Sequence, residues 1–229
     1  MIAAYLNELA GALAFDPALA ARVVTEAREH LADAAAEDAC VDRDEAERRA
    51  VARFGDPREL AEEFAAVSLA RQAWRVGVVI VIAIVVATAM MKARLVWYAL
   101  VQWTIADDAR AAAGLVLSVN RYAFWIAVLI GLGAIVHVGR RRAPAQLDAE
   151  YRIHLRRATL LFSSAAAALA VSVIGDLVLT ALRMGVTPSW NSIIPVVSVS
   201  IEIGSVAVVI VMIANASRLM ARTAGSFGA

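Results

Sequence analysis

The sequence has few of the residues that build disulfides, metal centres and catalytic sites. Its 229 residues include one cysteine, Cys40, and three histidines that lie far apart, His30, His137 and His154. A single cysteine cannot form an internal disulfide, and separated histidines lack the short spacing of a zinc site. There is also no glycine-rich phosphate loop, nucleophile elbow or HExxH motif. We therefore expect no catalytic activity, no metal and no cofactor.

Polar residues are few overall, and the charged ones are unevenly distributed along the chain. Hydrophobic residues make up 61% of the chain and its mean hydropathy is +0.69, which is too apolar for an ordinary soluble domain. Residues 1–70 hold 15 Asp or Glu and 7 Arg, whereas residues 71–229 hold 15 Lys or Arg and 6 Asp or Glu. We therefore predict an acidic N-terminal module at 1–70 and a membrane domain at 71–229.

The membrane domain contains four apolar stretches, each close to the ~20 residues that a helix needs to cross a bilayer. They cover residues 74–91, 119–139, 158–182 and 193–216. The sequence therefore predicts an all-α protein, in which a small N-terminal cytoplasmic helical module precedes a four-helix transmembrane bundle.

Basic residues flank these stretches mainly on one side. They are Arg71, Arg75, Arg140, Arg141, Arg142, Arg152, Arg156, Arg157, Arg218 and Arg222. The short connection after the third stretch has only Arg183. The N-terminus resembles a secretory signal poorly, because it has no basic start and Glu8 interrupts its apolar run. We expect a multi-pass membrane protein with both termini in the cytoplasm.

Residues 95–106 contain three aromatic side chains that favour the headgroup level of a bilayer, Trp97, Tyr98 and Trp103. The pattern is typical of an outer interfacial helix anchored by these rings. The alternative is that the segment prolongs the first span or forms an ordinary loop.

Four charged residues lie within or beside the apolar stretches, Lys92, Arg121, Asp176 and Glu202. At a rise of ~1.5 Å per residue, all four lie roughly 24 to 28 Å from the inner basic residues, in one polar layer. Each charge costs about 2.5 to 3.5 kcal/mol to insert, so it needs an explanation. We hypothesise that Arg121, together with Lys92, neutralises Asp176 and Glu202. In the alternatives the side chains reach separately to the outer interface, or they line a proton or ion pathway.

A turn between two helices is encoded around Gly55. Gly55 can adopt the left-handed conformation that ends a helix, Asp56 can cap the next one, and Pro57 fits its first turn. Glu59, three residues after Asp56, completes a capping-box-like pattern.

The helix that begins at Pro57 meets no helix-breaking residue before Met91, apart from the single Gly77. We therefore predict that it runs into the first span as one rod. Such a rod would connect the N-terminal module mechanically to the membrane.

Several short motifs stand in order through the N-terminal module. They are YLNEL at 5–9, EHLAD at 29–33, EAERRA at 45–50, FGDP at 54–57 and ELA at 59–61. This ordered set resembles the HAAS domain, a helix-turn-helix-associated α-helical signalling module that also occurs as the prefix domain of some bacterial permeases. The resemblance covers about residues 1–66 and not the membrane half.

The resemblance implies a bacterial inner-membrane signalling protein, a type often paired with a winged-helix repressor of the PadR family. Its expected partners are the lipid bilayer and a cytoplasmic protein such as that regulator, with no direct contact to nucleic acid. Only about 160 residues follow the module, without the large extracellular domain of the prefix permeases. Two alternatives remain: a small transporter or permease-associated subunit with a regulatory module, and a structural protein that forms homo-oligomers through the module.

Overall fold

A computed structural model describes residues 1–38, 42–140, 148–184 and 193–227, with side chains as far as residue 225. Cys40, Arg141 and Arg142 lie outside these described residues. Every regular element within them is helical, which confirms the predicted all-α class.

Seven α-helices follow one another along the described chain. They are α1 (Ile2–Ala12), α2 (Pro17–Ala36), α3 (Arg43–Phe54), α4 (Pro57–Leu100), α5 (Arg110–Gly139), α6 (Ala149–Met184) and α7 (Ile193–Phe227), with a 3₁₀ turn at Asp107–Ala109 before α5. The last four α-helices are long and apolar enough to cross a membrane, as the sequence predicts.

The helices form two compact units. The first contains residues 1–71, with 148–154 and 217–225, and the second contains 72–140, 155–184 and 193–216. We call the second the membrane unit. The boundary after residue 71 falls inside α4, so this helix contributes residues to both.

Leucine and aromatic side chains form the core of the N-terminal module. Leu9, Leu13 and Leu31 are fully buried, and Tyr5 packs edge to face against Phe54 with 5.8 Å between ring centroids. Alanine fills most of the remaining buried positions of this unit, so its core gains little apolar area per residue.

The turn between α3 and α4 has the local chemistry that its sequence suggests, with one exception. Gly55 has a φ of 95°, and the Asp56 carboxylate accepts a hydrogen bond of 2.7 Å from the Arg58 N–H. Glu59 is exposed, and within the described chain it accepts no bond from the Asp56 N–H. The capping box is therefore not closed, because the carboxylate of Asp56 alone caps the first turn.

The helix α4 runs without a break for 44 residues. At a rise of ~1.5 Å per residue it is about 66 Å long, more than twice the hydrocarbon thickness of a bilayer. The predicted continuity of this helix from Pro57 into the first span is confirmed.

Small residues let the helices of the membrane unit approach closely. A Cβ on Gly77 would lie 3.1 Å from Ile135, and a Cβ on Gly131 would lie 3.1 Å from Ile80. Alanines, valines and leucines of all four helices fill the rest of the core, while many large apolar side chains point outward. This distribution suits helices that pack on one another inside lipid.

Residues 95–106 do not form a separate interfacial helix. The first six continue α4 to Leu100, and the rest form a turn, in which Gln102 has a φ of 50°, and a stretch without regular structure. The reason is that no proline or glycine follows Gly77 in α4 before the helix ends at Leu100. The helix that contains the second apolar stretch begins before it, since α5 starts at Arg110 rather than near residue 119.

Candidate functional site: a buried polar cluster in the membrane unit

Arg94 on α4 is the centre of a buried polar cluster. Only 3% of its side chain is exposed, and its two terminal nitrogens contact two carboxylates on different helices. Nη1 donates a hydrogen bond of 3.0 Å to Oε2 of Glu202 on α7, and Nη2 lies 2.6 Å from Oδ2 of Asp176 on α6. The second contact is an ion pair by distance, although its angles are not those of a hydrogen bond.

The fourth helix joins the cluster through Asn120 on α5. Its Nδ2 donates to Oδ1 of Asp176 over 2.7 Å, and its Oδ1 accepts from the Ser172 hydroxyl over 2.6 Å. Asn120 is itself buried, so its amide group exchanges water for two protein partners. Each of the four long helices therefore contributes at least one side chain to the same hydrogen-bonded group.

A glycine makes this approach of α5 to α6 feasible. A Cβ on Gly175 would lie 2.9 Å from the Cβ of Asn120, a distance that real Cβ atoms essentially never show. The missing side chain at 175 thus lets Asn120 sit beside Asp176, which follows directly along α6.

A hydrogen bond near Glu202 also links α7 to α4. The Ser198 hydroxyl, one turn before Glu202, donates to the backbone carbonyl of Met90 over 3.2 Å. This bond ties the two helices together about one turn of α4 before Arg94, so the Arg94–Glu202 pair does not hold them alone.

The cluster continues along α4 to a set of aromatic and basic side chains. The Tyr98 hydroxyl lies 3.0 Å from the Thr180 hydroxyl, and the Arg183 guanidinium lies 4.4 Å from the centroid of the Tyr98 ring. Trp103 packs edge to face on the same ring, with 5.6 Å between centroids. Such cation–π and edge-to-face contacts hold the Tyr98 ring in one orientation.

The aromatic residues predicted as interfacial anchors are therefore mostly internal. Tyr98 and Trp103 are buried within the membrane unit, and only Trp97 is half-exposed. A ring that anchors to headgroups must reach lipid, so the interpretation of Tyr98 and Trp103 as anchors is wrong. Aromatic composition alone does not distinguish a lipid-facing ring from a ring that packs against a neighbouring helix.

The structure brings Asp176 and Glu202 together, but with a different cation from the predicted one. Lys92 and Arg121 are exposed, and no ion pair within the described ranges joins either of them to the two acids. Successive helical residues are about 100° apart, so Lys92 points away from the face that carries Arg94. For the same reason Arg121 points away when its neighbour Asn120 points inward.

The position of Arg94 follows once the buried face of α4 is known from the structure. The buried residues of α4 in the membrane unit include Val76, Ile80, Ala83 and Ala87, and Arg94 follows Ala87 by one heptad. From Ala87 one step of seven residues reaches Arg94 and a further step of four reaches Tyr98, whereas Lys92 lies five residues on, away from this face. The depth of the charged residues along the helices predicted a polar layer. Which basic residue pairs with the two acids is decided by the face of the helix on which it lies.

The model of the HAAS family matches residues 4–63 of the chain. This match covers α1 to α3 and the first residues of α4. The comparisons with curated proteins and with solved structures gave no match. The N-terminal module is thus HAAS-like, as its motifs indicate, and the membrane unit is described by its own geometry alone.

Proposed function

We propose that this chain is a bacterial inner-membrane signalling protein whose HAAS module binds a cytoplasmic protein, with a PadR-type transcriptional regulator as the candidate partner. One observation carries the proposal: a signalling-associated HAAS module at residues 4–63 precedes four helices that are long and apolar enough to cross a membrane. The proposal places both termini in the cytoplasm, as the basic residues beside the apolar stretches favour, so that the module can reach its partner.

The continuity of α4 supports a route for the signal. The helix starts at the Gly55–Asp56 turn and carries Arg94 of the buried cluster at its far end. A helix transmits rotation or displacement along its axis better than a flexible linker does. A change in the buried cluster would therefore reach the module through α4, as a two-state shift.

The charge of the module supports a protein partner with a basic surface. Residues 1–70 carry eight more acidic than basic residues, which attracts positive patches and repels nucleic acid. Catalysis and direct binding to nucleic acid form no part of the proposal.

The partner is tested by crosslinking the full-length protein in its native membrane and identifying what copurifies. A soluble DNA-binding protein is the expected result. An ATPase or a larger membrane protein would instead favour a permease-associated subunit. Recovery of only additional copies of this chain would favour an oligomerisation role.

The coupling is tested by inserting a flexible Gly/Ser linker after Ser68 in α4. The matched control is an alanine insert of about seven residues, two helical turns, which preserves the helix and its facing. In the uninterrupted chain and in the alanine control, Arg94→Gln should change the amount of partner protein that copurifies with the chain. In the Gly/Ser chain the same substitution should have no effect, and an equal effect in all three would refute coupling through α4.

A further inference from the structure

Two carboxyl groups of the buried cluster share one cation in direct contact. Arg94 forms ion pairs with both Asp176 and Glu202, which carry two negative charges if both are ionised. Lys92 on α4 and Arg121 on α5 are exposed, and the charge of Arg183 on α6, which lies over the Tyr98 ring, acts on Asp176 but not on Glu202. A second ionised carboxylate that shares its contacting cation is unfavourable inside a membrane-crossing bundle.

The carboxylate oxygens show where the neutralising group belongs. Both oxygens of Asp176 have partners, Asn120 for Oδ1 and Arg94 for Oδ2. Glu202 is fully buried, and Arg94 occupies only its Oε2. Oε1 of Glu202 is buried and accepts no hydrogen bond within the described part of the chain. A buried carboxylate oxygen without a donor has lost its hydrogen bonds to water and has formed none within the protein, which is unfavourable.

We propose that Oε1 of Glu202 is a proton-binding site, and that the cluster is assembled with Glu202 as a neutral carboxylic acid beside the Asp176–Arg94 ion pair. One bound proton leaves Arg94 with a single ionised carboxylate, that of Asp176, to neutralise. The proton also converts Oε1 from a carboxylate oxygen, which needs hydrogen-bond donors, into a hydroxyl group, which can itself donate a hydrogen bond.

A metal ion suits the site less well than a proton. Metal cations that bind oxygen are held by several ligands, and Oε1 is the single carboxylate oxygen of the cluster left without a partner. The nearby Ser205 hydroxyl already donates to the Glu202 backbone carbonyl over 2.8 Å. One free oxygen is sufficient for a proton.

The proposal gives the membrane unit a ligand, and it stands independently of which partner the HAAS module binds. Release of the proton would leave two carboxylates facing one guanidinium inside the bundle. Arg94 would then be shared between two full charges on α6 and α7, and the contacts that hold these helices to α4 would weaken.

The test is infrared spectroscopy of the full-length protein in lipid nanodiscs near neutral pH. We expect a C=O stretching band of a carboxylic acid in the wild type, and its loss in Glu202→Gln, which keeps the shape of the neutral acid. Glu59→Gln, an exposed carboxyl on the same chain, is the matched control and should leave the band unchanged. Raising the pH should remove the band from the wild type.

Asp176→Asn gives a second and sharper result. With one acid left for one arginine, Glu202 should release its proton, and the band should disappear although Glu202 is present. Absence of the band in the wild type, or its survival in Glu202→Gln or Asp176→Asn, would overturn the proposal. Loss of the wild-type band on adding Na⁺ or K⁺ at constant pH would also overturn it, in favour of a metal cation.

Discussion

Arg94 and Glu202 lie 108 residues apart in the sequence, and the arginine Nη1 donates to Oε2 of the glutamate over 3.0 Å. With 3% and 0% of their side chains exposed, both are removed from solvent and lipid. Asp176 occupies the other terminal nitrogen of the same guanidinium. A single side chain of α4 therefore contacts acids on both α6 and α7, and its removal affects both contacts.

Replacing Arg94 by methionine should destabilise the membrane unit by about 3 to 5 kcal/mol, because the buried Asp176 carboxylate loses its cation and Glu202 loses its hydrogen-bond donor. The measurement is thermal or denaturant unfolding of the purified protein in detergent. Lys92→Met makes the same change of charge two residues away on an exposed face. It should alter stability by no more than about 0.5 kcal/mol, and equal losses from the two variants would show that the ion pairs contribute little.

Gly175→Ala should destabilise the same unit by about 1 to 3 kcal/mol, because the added methyl group overlaps the Cβ of Asn120 and pushes α5 from α6. The same unfolding measurement applies. Gly204→Ala is the matched control, since a Cβ at 204 meets nothing within 4 Å. If both substitutions are tolerated alike, the close approach at Gly175 is not a tight constraint.

The two acids of the cluster could be predicted from the sequence, but their cation could not. Asp176 and Glu202 stand out because any charge in a long apolar stretch is conspicuous. Arg94 lies just beyond the first apolar stretch, beside Lys92, where a basic residue reads as the end of a span. Which of the two faces inward depends on how α4 packs against three other helices, and this is tertiary information.

The sequence predicted the turn at Gly55 more reliably than it predicted the surroundings of the aromatic residues. The turn at Gly55 and Asp56 depends on a few adjacent residues, so the short-range chemistry decides it. The rings of Tyr98 and Trp103 suit a membrane surface and a protein interior equally well. Tyr98 contacts Thr180 and Arg183, which come from a distant part of the chain, and Trp103 packs on the Tyr98 ring.

Gly55→Ala should destabilise the N-terminal module by about 1 to 3 kcal/mol, because a φ of 95° with a ψ of −172° is a conformation that essentially only glycine adopts. Hydrogen–deuterium exchange of α1 to α3 in the full-length protein would report the loss as faster exchange. Gly11→Ala provides the contrast. Gly11 is helical with open space around it, so alanine there should be neutral or stabilising by up to about 1 kcal/mol.

Tyr5 should titrate at a higher pH than an ordinary tyrosine. Burial raises the pKa of its hydroxyl, and the nearby carboxylates of Asp56 and Glu8 raise it further. The folded module then holds the Tyr5 proton more tightly than the unfolded chain does. This contribution to stability is complete below the ordinary tyrosine pKa and is lost as pH rises through the folded-state pKa.

The difference in alkaline ultraviolet titration between wild type and Tyr5→Phe isolates this one phenol from the other three tyrosines. Near neutral pH, Tyr5→Phe should cost little, because the Tyr5 hydroxyl is buried without a hydrogen-bond partner in the described structure while its ring packs on Phe54. An ordinary titration midpoint, or a large loss of stability in Tyr5→Phe, would contradict this prediction.

The arrangement of the cluster also has a consequence for synthesis of the protein. Ribosomes complete α4 long before α6 and α7, so Arg94 enters the membrane region while Asp176 and Glu202 are still untranslated. Until then the guanidinium must remain at the bilayer surface or be shielded by the insertion machinery. The first membrane helix can therefore reach its final position only after the last one has been made. In chains truncated before α6, Arg94 should remain an unpaired charge that membrane proteases can recognise.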